Sequence, residues 1–315
     1  MYQDFYGLKE KPFEITVDPR YFYLSDTHRE ALARLVYSVQ EKKGFAVITG
    51  EAGTGKTTLV QTLLGRLDSN ARTAFLFNPK LDSNSDFLYS ICEDLELTGQ
   101  KGSKVDYLIR LNTYLTECYS KREDVVVIID EAHTLGPDLL EEVRLLTNLE
   151  NPQGKLLQVI LLGQPELDNI LNHPQFRAIK QRINVRYRLQ TLNRKETGEY
   201  ITRRLRVAGA RSTHLFTPAA IRKVYQYSMG IPRMINTVCD NALVNGYAGG
   251  DTVIDTGIIR EVIGDLEGKI PGSRRKVAFA AAGIVGVSLI MGILYYYGPS
   301  QIGETVRTIG EKFWR

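Results

Sequence analysis

Gly50-Glu51-Ala52-Gly53-Thr54-Gly55-Lys56-Thr57 is the stretch that decides the fold of this 315-residue chain. It fits the pattern G-x-x-x-x-G-K-[ST], the phosphate-binding P-loop. The apolar run 45–49 before it predicts a buried strand, and apolar residues at helical spacing over 57–67 predict a helix after it. Strand, glycine loop and helix are the context that the motif requires, which makes a chance glycine turn the weaker interpretation.

Each residue type of the motif has a physical role in holding phosphates. Glycines let backbone amides turn toward a β-phosphate, and the helix N-terminus adds the positive end of its dipole. Lys56 is predicted to reach the β- and γ-phosphate oxygens, and the Thr57 hydroxyl to ligate Mg²⁺. We therefore predict ATP and Mg²⁺ as ligands. The predicted nucleotide-binding residues are Gly50, Glu51, Ala52, Gly53, Thr54, Gly55, Lys56, Thr57 and Thr58.

A second motif follows the apolar run 125–129, which is typical of a parallel strand covered on both faces. The run ends in Asp130-Glu131, the Walker B arrangement. Asp130 is predicted to hold Mg²⁺ through water, and Glu131 to polarise the attacking water, so hydrolysis is expected as well as binding. Ordinary loop carboxylates are the alternative. The letters from Asp130 to His133 also match a helicase box, but no other helicase motif accompanies them.

Two polar residues end neighbouring strands of the predicted sheet. Asn78 ends the second strand, which should lie beside the Walker B strand, and there it could hold Glu131 inactive until a partner is sensed. Gln164 ends the fourth strand, between the P-loop and Walker B strands, where it could hydrogen-bond the γ-phosphate or its water. An ordinary turn residue is the alternative for Asn78, and a purely structural residue for Gln164.

Three arginines are candidates for contacting the γ-phosphate. Arg182 precedes the fifth predicted strand, where an arginine can enter a neighbouring subunit's site, and Arg177 is the second choice for that role. Arg233 lies in Gly230-Ile231-Pro232-Arg233, which opens a helix near the C-terminal end, and is predicted to swing onto the γ-phosphate of its own chain. The alternatives are a solvated helix face for Arg177 and Arg182, and a helix-start arginine for Arg233.

Strand signals alternate with helical ones up to about 190, and only helical patterns follow. We predict a doubly wound α/β P-loop domain with a parallel sheet over 1–190 and a small all-helical lid domain over 191–268. A basic linker, 269–276, precedes an uncharged apolar stretch that ends in three tyrosines, 277–297. This stretch predicts a single transmembrane helix, with a buried core helix as the alternative, and 298–315 becomes a short periplasmic tail.

Composition argues against several other functional classes. The formal net charge is +4, but the linker 269–276 alone contributes +4 and the tail 298–315 a further +1, so residues 1–268 carry a net −1. Bulk charge therefore gives no reason to expect nucleic acid binding. The three cysteines are far apart and predict core thiols in a reducing compartment. The four histidines form no sequence cluster, and no metal or nucleophile role is predicted for His28, His133, His173 and His214.

Taken together, these motifs resemble those of an AAA+ ATPase. They are the P-loop, the Walker B motif, the polar residue at the end of strand four, the arginine before strand five and Gly-x-Pro-Arg in a helical lid. Over residues 1–268 the resemblance narrows to the ExeA/general secretion pathway A family. The motifs that carry it are Met1-Tyr2, Phe5-Tyr6-Gly7-Leu8, Pro12-Phe13, Asp18-Pro19, His28-x-Glu30-Ala31, Gly50-Glu51, Leu162-Gly163-Gln164-Pro165-Glu166-Leu167, Gln181-Arg182-Ile183 and Ile231-Pro232-Arg233-x-Ile235-Asn236.

The resemblance implies an oligomeric ATPase in the bacterial inner membrane, with cytoplasmic catalytic domains. It also implies partners in an envelope export system, such as the secretin of type II secretion, a pilus system or exopolysaccharide machinery, including relatives in exosortase loci. A periplasmic partner is one candidate. Longer members carry a peptidoglycan-binding domain after the membrane helix, whereas only 298–315 follows it in this sequence, so direct wall binding is not expected.

Two other functions stay open at this point. One is a DNA-binding AAA+ regulator related to the transposition-target ATPases, which salt-dependent binding of duplex DNA would support. The other is a nucleotide-gated scaffold that hardly turns over, which a steady-state phosphate-release assay would separate from an enzyme.

Overall fold

The computed structural model describes residues 1–15, 18–67, 71–77, 83–97, 99 and 102–269. Residues 1–262 form one compact unit, and the described part of the second unit is 263–269. Asn78, most of the predicted linker, the predicted membrane helix 277–297 and the tail 298–315 therefore lie outside the described residues. Among the helices that the structure describes, none combines the length and the apolar character needed to span a bilayer.

A five-stranded parallel sheet organises the compact unit, in the order β2-β3-β6-β1-β7. This order confirms that the second strand lies beside the Walker B strand, β3, and that the strand ending at Gln164, β6, lies between β3 and the P-loop strand, β1. A short antiparallel ladder, β4-β5, was not predicted. The strands are β1 Phe45–Thr49, β2 Arg72–Leu76, β3 Val125–Ile129, β4 Glu150–Asn151, β5 Gly154–Lys155, β6 Gln158–Gly163 and β7 Val185–Arg188.

Helices cover both faces of the sheet, as the doubly wound prediction requires. Alternate residues of a strand point to opposite faces, so Val47 of β1 packs with helices α4 to α7, while Ile48 packs with α2 and α3. The helices are α1 Tyr2–Tyr6, α2 Asp26–Gln40, α3 Lys56–Leu64, α4 Asn84–Asp94, α5 Lys104–Ser120, α6 Pro137–Leu146, α7 Pro165–Asn172, α8 Arg177–Lys180, α9 Arg194–Val207, α10 Pro218–Ser228, α11 Pro232–Gly249 and α12 Thr256–Leu266.

Helix starts follow the capping residues that the sequence supplies. Ser25 caps α2 by accepting from the His28 amide. Thr217 accepts from the Ala220 amide, and proline occupies the first position of α10. The three cysteines are buried, which agrees with core thiols.

The N-terminal segment, residues 1–14, packs against the C-terminal helices. The Tyr2 hydroxyl donates to Asp240 (2.6 Å), and the Tyr6 hydroxyl donates to the Asp251 carbonyl (2.9 Å). Arg204 of α9 is buried, and its guanidinium donates to the carbonyls of Pro12 and Glu14. The two ends of the compact unit are thus joined by hydrogen bonds. The sequence did not indicate this contact, and the predicted division at 190 stays a prediction.

Candidate functional site

The two motifs meet where the strands of the sheet end. The Gly50 amide donates to the Gly163 carbonyl (3.1 Å), and the Asp130 amide donates to the Leu76 carbonyl (2.9 Å). The backbone hydrogen bonds of the sheet therefore continue to the first residue of each motif. Because the carboxyl ends of parallel strands share one edge, the P-loop, Asp130 and Gln164 are brought to the same place.

Thr57 and Asp130 lie in direct contact at this edge. The Thr57 hydroxyl donates to Asp130 Oδ2 at 2.6 Å, and Asp130 Oδ1 accepts from the Glu131 amide at 2.8 Å. Asp130 is only 4% exposed, so its carboxylate is held in one orientation. Hydroxyl and carboxylate oxygens are the ligands that Mg²⁺ prefers, so this pair fits the predicted metal site.

Lys56 is buried beneath the P-loop. Its ammonium donates to the carbonyls of Gly50 (2.8 Å) and Glu51 (3.2 Å). Burial lowers the pKa of Lys56, while the carboxylates of Glu131, Asp130 and Glu51 oppose that shift. A cation shielded from water and fixed by loop carbonyls is suited to neutralise phosphate oxygens.

Two P-loop glycines are required by their backbone conformation. Gly53 and Gly55 have φ of 80° and 97°, a region that residues with a Cβ rarely adopt. At Gly53 an added Cβ would also lie 2.6 Å from the Arg233 Cβ. The Arg233 amide in turn donates to the Gly53 carbonyl (3.3 Å), so the start of α11 rests on the P-loop of the same chain.

One cavity joins these groups to the rest of the candidate nucleotide site. Its phosphate end is lined by the P-loop residues Gly53 to Thr58, with Glu131 and Arg233 beside them. The rest of its lining includes the apolar side chains of Ile15, Phe22 and Leu192. Apolar side chains opposite a phosphate cradle provide the surface that a nucleotide base needs.

Glu131 is positioned by an unusual backbone and two neighbours. Its φ of 52° lies in the left-handed region, which is a strained conformation for a residue with a Cβ. Gln164 Nε2 donates to Glu131 Oε2 (3.3 Å), and His133 Nδ1 lies 3.4 Å from the same oxygen. Gln164 Nε2 also lies 3.3 Å from His133 Nε2, which closes a triangle of long, weak contacts around the carboxylate.

Arg182 is placed at the opposite end of the sheet. It precedes β7, and the Asn184 amide donates to the carbonyl of Phe45, the first residue of β1, whereas the P-loop follows the last residue of β1. The five residues of β1, about 16 Å of extended chain, therefore separate the P-loop from the end of the sheet at which Arg182 lies. Arg182 does not line the nucleotide cavity of its own chain, and Arg177 is exposed on the same flank.

The structure therefore gathers most of the predicted site in one chain. The P-loop residues, Asp130, Glu131, Gln164 and Arg233 come together, and Arg182 does not. The proposed restraint of Glu131 by Asn78 lies outside the described residues. Their catalytic roles stay predictions.

Two histidines were missed because no metal or nucleophile pattern marks them. His133 contacts Glu131 and Gln164, and the only sequence signal was its place two residues after the Walker B glutamate. His28 is 2% exposed, and its Nε2 lies 2.9 Å from the Thr54 carbonyl of the P-loop. Its signal was its occurrence in the motif His28-x-Glu30-Ala31.

Comparison with known proteins agrees with the class that the fold and the site define. A family model described as "AAA domain" matches residues 39–171. Structures with similar folds include Aeropyrum pernix ORC2 in ADPNP–ADP complexes (TM-score 0.60, 19% identity, 81% of this chain and 71% of that chain). Pyrobaculum aerophilum Cdc6p has a TM-score of 0.60 and 15% identity, over 84% of this chain and 74% of that chain. Drosophila ORC bound to DNA has a TM-score of 0.62 and 16% identity, over 96% of this chain and 83% of that chain. The chain therefore has the P-loop AAA+ fold, with an AAA domain over residues 39–171.

A curated sequence relative narrows this class. "General secretion pathway protein A" of Aeromonas hydrophila is 43% identical over 260 residues, which are 82% of this chain and 47% of the relative. This match confirms the resemblance to the ExeA/general secretion pathway A family. The chain spans about half the length of that relative.

Proposed function

We propose that this protein is a membrane-anchored AAA+ ATPase whose Mg²⁺-dependent hydrolysis of ATP assists the assembly or operation of an envelope export system. The observation that carries the hydrolytic part is the cavity lined by Lys56, Thr57, Glu131 and Arg233, with Asp130 hydrogen-bonded to Thr57. The relative named for general secretion supports the export role.

Each residue of the candidate site has its own role in hydrolysis. When bound, Mg²⁺ would supply positive charge that stabilises the charge on the phosphates. Thr57 would ligate the ion and Asp130 would hold it through water, while Lys56 neutralises charge on the phosphates. Glu131 accepts a proton from the attacking water or orients it, while Gln164 and His133 fix its carboxylate. Arg233 adds a positive charge from the helix that rests on the P-loop.

The first test is the removal of the P-loop cation. We expect Lys56→Ala to abolish measurable ATP binding by the full chain in detergent, because the phosphate oxygens lose their buried counter-charge. Binding is measured by titration with and without Mg²⁺, and Lys121→Ala, an exposed lysine at the end of α5, is the matched control. Unchanged ATP affinity in a folded Lys56→Ala protein would contradict the nucleotide site.

The membrane anchor is tested through its topology. The linker 269–276 carries four basic residues, while the tail 298–315 is nearly balanced, so the catalytic unit should stay in the cytoplasm. We expect a reporter enzyme that is active only in the periplasm to work when fused after Arg315. The same reporter fused before 269 should be inactive. Activity before 269, or none after Arg315, would overturn the topology.

DNA binding by the full chain would favour the regulator alternative instead. Its mark would be an affinity for duplex DNA that falls steeply as salt is raised, because phosphate contacts release counterions. The net charge of −1 over residues 1–268 leads us to expect no such binding.

A further inference from the structure

His28 touches the P-loop from outside the two nucleotide-binding motifs. It belongs to the first turn of α2 and is held at both ring nitrogens: Nδ1 lies 2.6 Å from the Ser25 hydroxyl, and Nε2 lies 2.9 Å from the Thr54 carbonyl. A carbonyl oxygen only accepts hydrogen bonds, so Nε2 must carry the proton, and neutral Nδ1 then accepts from Ser25. Burial lowers the pKa of His28, which favours this neutral ring.

The contact with Thr54 fixes one peptide plane of the P-loop. A trans peptide is planar, with its C=O and N–H pointing in opposite directions. When the Thr54 carbonyl is held toward His28, the Gly55 amide must point away from α2. Gly55 lines the nucleotide cavity, and its amide donates to no acceptor among the described residues.

We propose that His28 is a positioning residue that orients the Gly55 amide toward the β-phosphate of the bound nucleotide. Gly55 alone does not fix this direction, because glycine with a φ of 97° is free to adopt several conformations. The imidazole removes that freedom before the ligand arrives. An amide that is already oriented binds an anion without the entropic cost of ordering the loop.

The space around His28 agrees with a positioning role. A Cβ placed on Gly55 would lie 3.3 Å from His28 Nε2, so the ring packs directly against the loop. Phe22 packs edge-on against the ring, with centroids 5.4 Å apart, and also lines the cavity. The ring is thereby confined between Ser25, Phe22 and the P-loop backbone.

The test compares ligands with and without the β-phosphate, and it depends on the proposed nucleotide binding. Titrations use the full chain in detergent with ADP and with adenosine, measured by competition with a fluorescent ADP analogue. His28→Met removes the donor while keeping much of the volume. We expect its ADP affinity to fall about tenfold and its adenosine affinity to change less than twofold. His28→Gln keeps an N–H donor that can reach Thr54 and should restore ADP binding.

The possible failures are distinguishable. If the wild-type chain does not bind ADP, the proposed function fails before His28 is considered. Should a folded His28→Met protein bind ADP like wild type, or lose ADP and adenosine equally, the positioning role is wrong. If circular dichroism shows that His28→Met is unfolded, His28→Asn replaces it, because the asparagine amide is too short to reach Thr54. The ADP and adenosine affinities of His28→Asn then test the positioning role in the same way.

Discussion

Arg182→Ala is expected to lower ATP turnover by about 10³–10⁵-fold while leaving ATP binding unchanged. The transition state spreads negative charge over the γ-phosphoryl oxygens, and an added arginine stabilises that charge. Arg182 lies at the amino end of the strands, remote from the P-loop of its own chain, so we expect it to act on a neighbouring subunit's nucleotide. On this proposal the site is complete only in an oligomer, and the proposed membrane anchor would favour one by concentrating subunits in two dimensions.

A mixing experiment tests this shared site. Arg182→Ala and Lys56→Ala are each expected to be inactive, yet their mixture should regain part of the activity, because some interfaces pair an intact P-loop with an intact Arg182. Lys180→Ala is the matched control, since that lysine is an exposed cation at the end of α8 with no proposed role. A mixture that stays inactive although both proteins associate, or full activity of Arg182→Ala alone, would refute the assignment and turn attention to Arg177.

Glu131→Gln is expected to keep ATP bound but to reduce hydrolysis by about 10²–10⁴-fold, the usual contribution of a general base. Glutamine preserves the shape and the contacts with Gln164 and His133, so folding and binding should be retained. Turnover is measured as steady-state phosphate release, with Glu117→Gln on the exposed face of α5 as the control. Hydrolysis at the wild-type rate would show that another group activates the water.

The sequence predicted the parts of the site that depend on local patterns. A P-loop needs a strand before it and a helix after it, and both could be recognised from apolar spacing around Lys56. Asp130 and Gln164 each end an apolar run, and parallel strands bring such ends together. The expected neighbours of the Walker B strand, β2 on one side and β6 on the other, are those of the sheet.

The parts that were not predicted depend on tertiary contacts. His28 and Thr54 are 26 positions apart, and His133 and Gln164 are 31 apart, so no local period connects them. Each histidine is isolated in the sequence and acquires a partner only when the sheet places two loops side by side. The left-handed backbone of Glu131 is equally invisible, because the residue itself gives no reason to adopt it.

The hydrogen bonds of the N-terminal segment have a consequence for biosynthesis. Tyr6 finds its acceptor at Asp251, 245 positions later, so the first residues made wait for nearly the last residues of the compact unit. At about 5–20 residues per second, a ribosome needs roughly 10–50 s to make that stretch. During this interval Tyr2 and Tyr6, buried in the finished protein, lack Asp240 and Asp251, the acceptors of their hydroxyl groups. The nascent chain thus exposes an aromatic segment that a chaperone can hold until α11 emerges.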